Sequence, residues 1–278
     1  MAYVNIYQYD QFTSVEVKKF IYSGTSTYVV GKIRRGNEQV PEQMFIGKLD
    51  ADGNYLWQRR YIYPDTQVTG GYVWAFPHFT DVVEIPGTKD IVVLGFDRDV
   101  ALLMRLKENG DISWIKKIYD VQTVKPIYDN VNFNPCLHIF DDNSLVVHIR
   151  ENHNKGAGPA QINHNIYRFD PEEGYEIQAI QIPTRSPMLL VREERMEKGL
   201  LTFYGGYAET GAIMQIDQNL NIVRSVGFFY TGPLKGYNSF HIYAASQVHE
   251  GRYTVMGSFY HYDPSAPVED RIGLEWVI

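Results

Sequence analysis

Apolar and polar residues alternate along this chain in segments of strand length, and short polar turns separate the segments. Val15–Tyr22 (VEVKKFIY) mixes apolar and polar residues, whereas Tyr28–Ile33 (YVVGKI) and Ile91–Phe96 (IVVLGF) are largely apolar runs of strand length. No useful window shows the 3.6-residue period of an amphipathic helix. Alternating segments with frequent turns therefore predict an all-β fold of antiparallel strands.

One turn and its flanking strands recur along the chain. The stretch Gly47–Tyr61 (GKLDADGNYLWQRRY) returns within Arg105–Tyr119 (RLKENGDISWIKKIY), and a shift of 57 residues superposes Lys48 on Arg105, Gly53 on Gly110 and Trp57 on Trp114. Looser copies lie at Tyr167–Ile180 and Met214–Val226. A unit that recurs every 50 to 60 residues is typical of an array of similar supersecondary units. In such an array, Trp57 and Trp114 begin outer strands, where we expect them to pack one unit against the next.

The predicted strands fall into five groups of about four strands each. The approximate bounds of the groups are 11–63, 79–119, 137–181, 188–230 and 240–278. The fifth group lacks a fourth strand, and the segment Val4–Tyr9 (VNIYQY) belongs to no group. The sequence therefore predicts a single domain, 1–278, that is a five-bladed β-propeller of four-stranded antiparallel blades, with the N-terminal strand closing the ring.

A glycine near the end of each second strand supports this register. The strands end in YVVG, VVLG, TFYG and TVMG at Gly31, Gly95, Gly205 and Gly257, whereas the third group has LVVH with His148. Glycine inside a strand indicates a bend or a close approach of another backbone.

Long connections concentrate on one side of the predicted propeller. The turns between strands one and two, and between three and four, are tight, whereas the segments between groups are long and irregular. Long loops on one face of a rigid scaffold are a common location for binding. Aromatic rings with amides and an Arg suit a sugar ring or a peptide. The candidate ligand-binding residues, each expected near the start of an innermost strand, are Trp74, Phe76, His78, Asn132, Asn134, Arg185, Tyr237, Asn238 and His241.

Composition and charge exclude several kinds of partner. The net charge is -7, and no cluster of Lys and Arg is present, which argues against nucleic acid. The longest apolar runs are of strand length, far shorter than a membrane span. Cys136 is the single cysteine, so no internal disulfide can form, and we expect a buried thiol. The first residues have no basic start of the secretory type, so we expect synthesis in the cytoplasm, with incorporation into a virion or tail-like particle as a later fate.

Catalytic chemistry has one candidate residue. Asp81 lies near the start of an innermost strand, where five-bladed glycoside hydrolases and related phosphorylases place carboxylates. The corresponding positions of the third, fourth and fifth groups are not acidic, and Glu193 and Glu194 are expected in a turn on the opposite face. No catalytic set is visible, so the enzyme stays an alternative.

Metal, nucleotide and other cofactor sites are not expected. His148, His153 and His164 flank one loop that we expect to be exposed, and their spacing matches no metal motif. Cys136 and His138 lie on one strand without an orienting partner. The acidic turns DADGN and DPEEG are too short for calcium loops and are explained by hairpin chemistry. Gly-rich pieces such as KGAGPA lack the context of a phosphate loop.

The pattern LDADGNYLW after a YVVG strand resembles propeller repeats of the LDxxGNxxW type, which are common in surface and secreted proteins of Bacteroidetes and their phages. The resemblance covers the first two groups best, and it implies a propeller without a single activity. The first hypothesis is a non-enzymatic binding or structural module that presents its long-loop face to a protein or glycan partner within a larger assembly. The alternative is a glycan-active enzyme with Asp81 as one carboxylate.

Overall fold

The computed structural model describes residues 12–35, 43–61, 78–97, 100–120, 136–153, 161–184, 190–197, 199–207, 210–229, 237–249, 252–262 and 273–277. Within these ranges the chain forms nineteen β-strands in five antiparallel sheets, and no helix. The prediction of an all-β class is therefore confirmed.

Each sheet is a meander in which every strand pairs with the next one along the chain. The first sheet contains β1 (Phe12–Ser23), β2 (Ser26–Arg35), β3 (Gln43–Leu49) and β4 (Tyr55–Tyr61), and the second contains β5 (His78–Glu84), β6 (Ile91–Asp97), β7 (Val100–Leu106) and β8 (Ile112–Asp120). The third contains β9 (Cys136–Ile139), β10 (Leu145–His153), β11 (Gln161–Phe169) and β12 (Glu176–Thr184). The fourth contains β13 (Leu190–Glu197), β14 (Leu200–Tyr207), β15 (Thr210–Asp217) and β16 (Ile222–Phe229), and the fifth contains β17 (Tyr237–His249), β18 (Arg252–Tyr262) and β19 (Gly273–Val277).

The first strands of neighbouring sheets lie together. β1 contacts β5, β5 contacts β9, and β13 contacts β17, so these first strands are the inner strands. Repeated four-stranded sheets with adjoining inner strands fit a propeller-like fold. The described strands do not close into a ring, and the segment Val4–Tyr9 that was predicted to close it lies outside the described residues.

We call the interface between two successive sheets a seam. Apolar clusters fill the first three seams, which join sheets one and two, two and three, and three and four. The first seam contains Tyr28, Val30 and Ile46 against Phe79, Val93 and Met104. The second contains Val92, Leu94 and Leu103 against Leu145, Val147 and Phe169, and the third contains Phe140, Val146 and Ile166 against Leu201 and Phe203. Burial of each such side chain contributes about 1.5–3 kcal/mol, so the seams hold the sheets together.

The glycines of the second strands face a β-bulge in the inner strand. The register skips a residue between Val17 and Lys19 opposite Gly31, and between Phe79 and Asp81 opposite Gly95. A Cβ on Gly31 would lie 1.9 Å from the carbonyl oxygen of Glu16. The predicted close approach is therefore confirmed at Gly31, and a bulge explains it.

The third sheet departs from this pattern at a different residue than the sequence indicated. Leu145 pairs with Phe169 as Ile91 pairs with Leu106, and counting on from these pairs aligns Gly95 with Ile149. His148 instead aligns with Leu94, which is an apolar residue of a seam. The assignment of His148 to the glycine position was therefore wrong by one residue.

The tight turns form one edge of the sheets, which we call the turn side; the opposite edge is the loop side. In the turn after β3, the Asp50 carboxylate accepts hydrogen bonds from the backbone N–H groups of Asp52 and Asn54 at 2.9 and 2.8 Å. Asp170 accepts from Glu172 and Glu173 in the same way. Hairpin chemistry therefore accounts for both acidic turns, as predicted.

Two tryptophans fasten neighbouring sheets on the turn side. The indole N–H of Trp57 donates to the carbonyl of Glu108 at 2.9 Å, and that of Trp114 donates to the carbonyl of Pro171 at 3.2 Å. Each bond joins the outer strand of one sheet to the turn before the outer strand of the next. The predicted packing role of both tryptophans is confirmed.

Candidate functional site

The predicted ligand-binding residues fall in three places. His78 begins the inner strand β5, where it is half-buried with its ring 6.4 Å from that of Phe96. Tyr237, Asn238 and His241 lie in the first five residues of the inner strand β17. The other predicted residues lie outside the described residues, and they are Trp74, Phe76, Asn132, Asn134 and Arg185. The described members start inner strands on the loop side, and binding by any of the nine stays a prediction.

One detail of this group differs from the expectation. Tyr237, Asn238 and His241 were expected in a connecting loop, but β17 already begins at Tyr237 and pairs with β18 as far as Tyr262. The partner strand β18 is long enough to pair with Tyr237 through Tyr262, so the ladder begins inside the predicted loop. Their backbone is therefore held by the sheet.

Asp81 is buried at the inner strands and joins three sheets. Its side chain forms an ion pair with Lys19 of the first sheet. One carboxylate oxygen accepts from the backbone N–H of Val82 at 2.7 Å, and the other accepts from the backbone N–H of Leu137 in the third sheet at 2.8 Å. A carboxylate whose two oxygens are both engaged in this way is suited to clamping strands, because proton transfer to a substrate needs an accessible oxygen.

Glu193 and Glu194 do not lie in a turn, contrary to the expectation. They belong to the inner strand β13, where Glu193 pairs with Phe203 and Glu194 pairs with Thr202. The ladder of β13 with β14 continues through the polar run REERME because register shifts on either side of Arg192–Glu194 absorb its irregularity.

Two histidines of the third sheet are buried, which corrects the expectation of an exposed loop. His148 is 3% exposed and His164 is 0% exposed. Nε2 of His148 and Nδ1 of His164 lie 3.1 Å apart. The ladder between β10 and β11 extends to the pair His153–Gln161, so these strands, and not a loop, contain the histidines.

The imidazole pair has the geometry of a hydrogen bond. The ring centroids are 5.3 Å apart and the ring planes differ by 18°, so the rings are nearly parallel, and the nitrogens that face each other are 3.1 Å apart. Two ligands of one metal ion would instead direct their nitrogens toward a shared third point. Among the described residues, no group of three or more His, Cys, Asp or Glu could hold a metal ion.

The pair belongs to the third seam. The ring of His148 lies edge-on to Phe203 of the fourth sheet, with centroids 5.0 Å apart. Cys136, the register partner of His148, packs against the same apolar cluster but is partly exposed, so the expectation of a buried thiol was wrong. The thiol therefore neighbours His148 in the ladder, whereas sequence proximity had singled out His138.

Lys48 and Arg105 were not predicted as functional residues, and each forms an ion pair across a seam. Lys48 is 6% exposed and its ammonium lies 3.0 Å from the Glu108 carboxylate. Arg105, also 6% exposed, donates to Asp90 and, across the second seam, to the carbonyl of Pro171 and the carboxylate of Glu172. The sequence does contain a signal for these two residues, because a basic residue stands second from the end of both β3 and β7, which are otherwise mostly apolar.

The comparisons with known proteins bear on the fold. No protein-family model matches the chain, and no curated protein matches it. The chain is similar to the crystal structure of a protein from Lactobacillus plantarum, with 10% sequence identity, 94% of this chain and 70% of that chain covered, and a TM-score of 0.50. Among the described residues, no helix is long and apolar enough to cross a membrane. At this identity the likeness concerns the arrangement of the sheets.

Proposed function

We propose that this protein is a non-enzymatic binding module that presents its loop side to a protein or glycan partner. The scaffold is a five-bladed propeller, and the strand Val4–Tyr9 completes the fifth blade and closes the ring. The module works within a larger assembly, such as a phage or tail-like particle. The LDxxGNxxW-type repeats support this context.

The observation that carries the proposal is that the Asp81 carboxylate is buried and engaged in contacts within the scaffold. It is the carboxylate placed best for catalysis at the inner strands, and it is 3% exposed and engaged with Lys19, Val82 and Leu137. General acid and base work on a glycosidic bond needs two available carboxyl groups. These contacts favour a structural role for Asp81, in which it holds the inner strands together.

The contrast between the two sides supports a binding role. On the turn side, inter-sheet bonds from Trp57, Trp114 and Arg105 fix the ends of the sheets. The connections 62–77 and 121–135 leave from the loop side. A rigid frame that carries long loops on one side is a common arrangement for recognition.

Capture of a partner tests the proposal. The wild-type chain, H78A, W74A and a control variant, K107A, are immobilised and exposed to a glycan array and to extracts of the natural source. Lys107 is exposed on the turn side, so K107A keeps binding. We expect H78A and W74A to weaken capture at least tenfold while their circular dichroism and melting temperature stay within the range of the control.

Equal capture by all four proteins contradicts the assignment of the loop side. Hydrolysis or phosphorolysis of a glycan that disappears in a folded D81N variant contradicts the non-enzymatic role. Capture of a glycan and capture of a protein are read in separate arms, so the experiment also identifies the class of partner.

A further inference from the structure

The first seam is closed at its third strands and open at its outer strands. Ile46 of β3 and Met104 of β7 are buried in the apolar cluster of this seam. In the ladders they oppose Arg59 of β4 and Ile115 of β8, and directly opposed residues lie on the same face of a sheet. Arg59 is exposed and Ile115 is 48% exposed. The outer strands therefore border a cleft above the first seam, which we call the outer cleft.

The walls of the outer cleft combine apolar surface with positive charge. On the β4 wall, Trp57 and Tyr61 are half-buried and pack against the cluster of the first seam. The guanidinium carbon of Arg59 is 5.8 Å from the centroid of the Trp57 ring, which places this cation on the aromatic wall. On the β8 wall, the exposed Lys117 opposes Leu102, a buried residue of the same cluster.

These walls are basic although the chain is acidic. β4 (YLWQRRY) and the first seven residues of β8 (ISWIKKI) contain four Lys and Arg and no Asp or Glu, whereas the net charge of the chain is -7. Acids next to these segments lie at the ends of the cleft, with Asp111 in the turn before β8 and Asp120 as the last residue of β8. The middle of the outer cleft is therefore complementary to a negatively charged partner.

The equivalent clefts of the next two seams carry less positive charge. In the second, Lys116 opposes the buried Leu103, but the facing strand β12 (EIQAIQIPT) has no basic residue. In the third, β12 meets β16, where Ser225 opposes the seam residue Met214. Among the three clefts that the described strands border, the outer cleft of the first seam has cations on both walls.

The shape of the outer cleft suits an extended chain. Its walls are strands of seven and nine residues that form the outer edges of the first and second sheets. An extended segment can follow such strands residue by residue, with its side chains at alternate positions. Apolar side chains of the segment then meet Trp57 and Ile115, and its carboxylates meet Arg59.

We propose that the outer cleft is a docking site for an extended, acidic segment of another protein, in which carboxylates alternate with apolar side chains. A second copy of this chain is disfavoured as the occupant, because its own β4 or β8 would bring like charges together. The outer cleft lies on the outer strands, apart from the loop side. The proposal therefore adds a second interaction surface and does not rest on the proposed function.

Binding of labelled peptides tests the charge of the partner. The probe is a fluorescein-labelled peptide as long as β4 in which Glu alternates with Val, and matched peptides have Gln or Lys in place of Glu. We expect the Glu peptide to bind at least about tenfold more tightly than the Gln peptide in fluorescence anisotropy, and the Lys peptide not to bind. Equal binding of the Glu and Gln peptides, or no binding of the Glu peptide, overturns the proposal.

Charge reversals locate the site. R59E inverts a cation of the outer cleft, K116E inverts one of the second cleft, and K107E inverts one on the turn side. All three residues are exposed, and the three variants change the net charge equally. We expect R59E to weaken binding of the Glu peptide about tenfold, and K116E and K107E to weaken it less than about threefold. Equal weakening by the three variants would show attraction by net charge alone and overturns the site.

A variant on the opposite wall keeps the test independent of Arg59. I115E places an acid in the outer cleft and leaves the contact of Arg59 with Trp57 in place, so we expect it to weaken binding of the Glu peptide as R59E does. Melting temperatures show which variants fold, and I115E decides if R59E does not. Binding of phosphatidylserine vesicles that R59E abolishes, without binding of the Glu peptide, overturns the peptide segment in favour of an anionic membrane surface.

Discussion

The second and third seams use different chemistry on the same backbone frame. In the second, Arg105 reaches from the second sheet to Pro171 and Glu172 of the third, and the Trp114 indole donates to the same carbonyl of Pro171. In the third, the equivalent Arg168 turns back to Asp142 and Ser144 of its own sheet. The bond from Gln178 to Asn219 crosses the seam instead, and a buried imidazole pair within the third sheet lies at the seam beside Phe203.

This difference shows which parts of a seam the repeat constrains. The ladder register recurs because it is a backbone feature. A carbonyl of the turn before the outer strand accepts in each case, but its position in the turn shifts by one residue from Glu108 and Pro171 to Asn219. The side chains that use these carbonyls vary, because a cation, an indole or an amide can each donate to a carbonyl. A polar interaction can also lie in the interior of a seam, as between His148 and His164, which replace the apolar pair Leu94 and Ala101 of the second sheet.

Replacing Arg105 is the strongest way to break the second seam. The Arg105 side chain is 7% exposed and its partner Asp90 is 16% exposed. We expect R105M to lower the free energy of unfolding by about 3–5 kcal/mol, because it leaves a poorly hydrated carboxylate and a buried carbonyl behind. Urea denaturation measures the change.

Arg168 provides the matched control for this prediction. Its hydrogen bonds stay within the third sheet, and its partner Asp142 is 34% exposed. We expect R168M to lower the free energy of unfolding by about 1 kcal/mol. Equal losses in the two variants would show that the contact across the seam has no special weight.

The imidazole pair of the third seam can be replaced by the apolar residues that stand at the same register positions in the second seam. By register, His148 aligns with Leu94 and His164 with Ala101. We expect H148L and H164A each to lower the free energy of unfolding by about 1–3 kcal/mol, because each removes one partner of a buried hydrogen bond. The double variant H148L/H164A should lose less than the sum of the two, and urea denaturation of all four proteins gives the coupling. Additive losses would mean that the rings contribute independently.

Much of the frame could be predicted from the sequence because its causes are local. Alternation indicated the strands, Asp and Gly at fixed places indicated the turns after β3 and β7, and the recurrence of Trp57 as Trp114 indicated fastening between sheets. Each of these depends on residues close together in the chain or on a repeat of the same unit.

The polar contacts inside the seams could not be predicted in this way. Asp81 accepts from Leu137, a partner 56 residues away, and His148 meets His164 through a ladder register that the sequence does not specify. The strand position of Glu193 and the early start of β17 also depend on pairing with a neighbouring strand. Most of the predicted ligand-binding residues lie outside the described residues, so the loop side stays a prediction.

The carboxyl of Asp142, in the first turn of the third sheet, predicts how the stability of the fold depends on acid pH. Burial raises the pKa of Asp142, but hydrogen bonds from Ser144 and the charge of Arg168 outweigh it, so that the pKa lies below its ordinary value of 3.8. A carboxyl with a lowered pKa stabilises the fold above its unfolded-state pKa, and this contribution disappears as the pH falls through the folded-state value. We expect D142N to be less stable than the wild type at pH 7 and to lose less stability between pH 5 and pH 2, as measured by urea denaturation. An unchanged acid slope would contradict this role.

The smallest expected effect concerns two tyrosines of the first seam. The buried hydroxyl oxygen of Tyr61 has no hydrogen-bond partner among the described residues, whereas the hydroxyl of Tyr28 donates to the carbonyl of Lys89 across the seam at 3.4 Å. Because an unsatisfied buried hydroxyl carries a desolvation cost, we expect Y61F to raise the free energy of unfolding by up to about 1 kcal/mol at pH 7. Y28F is the matched control and should lower it.

The pKa of Tyr61 also predicts how the stability of the fold depends on alkaline pH. Burial raises the pKa of Tyr61 from 10.0 to about 12. The stability that the neutral phenol contributes is fully present below pH 10 and disappears as the pH rises toward 12, since the unfolded chain ionises first. Y61F should therefore lose less stability than the wild type between pH 10 and pH 12 in urea denaturation. A parallel decline of the two proteins, or destabilisation of Y61F at pH 7, would show that the Tyr61 hydroxyl does have a partner and that the first seam, like the third, is built around an internal polar contact.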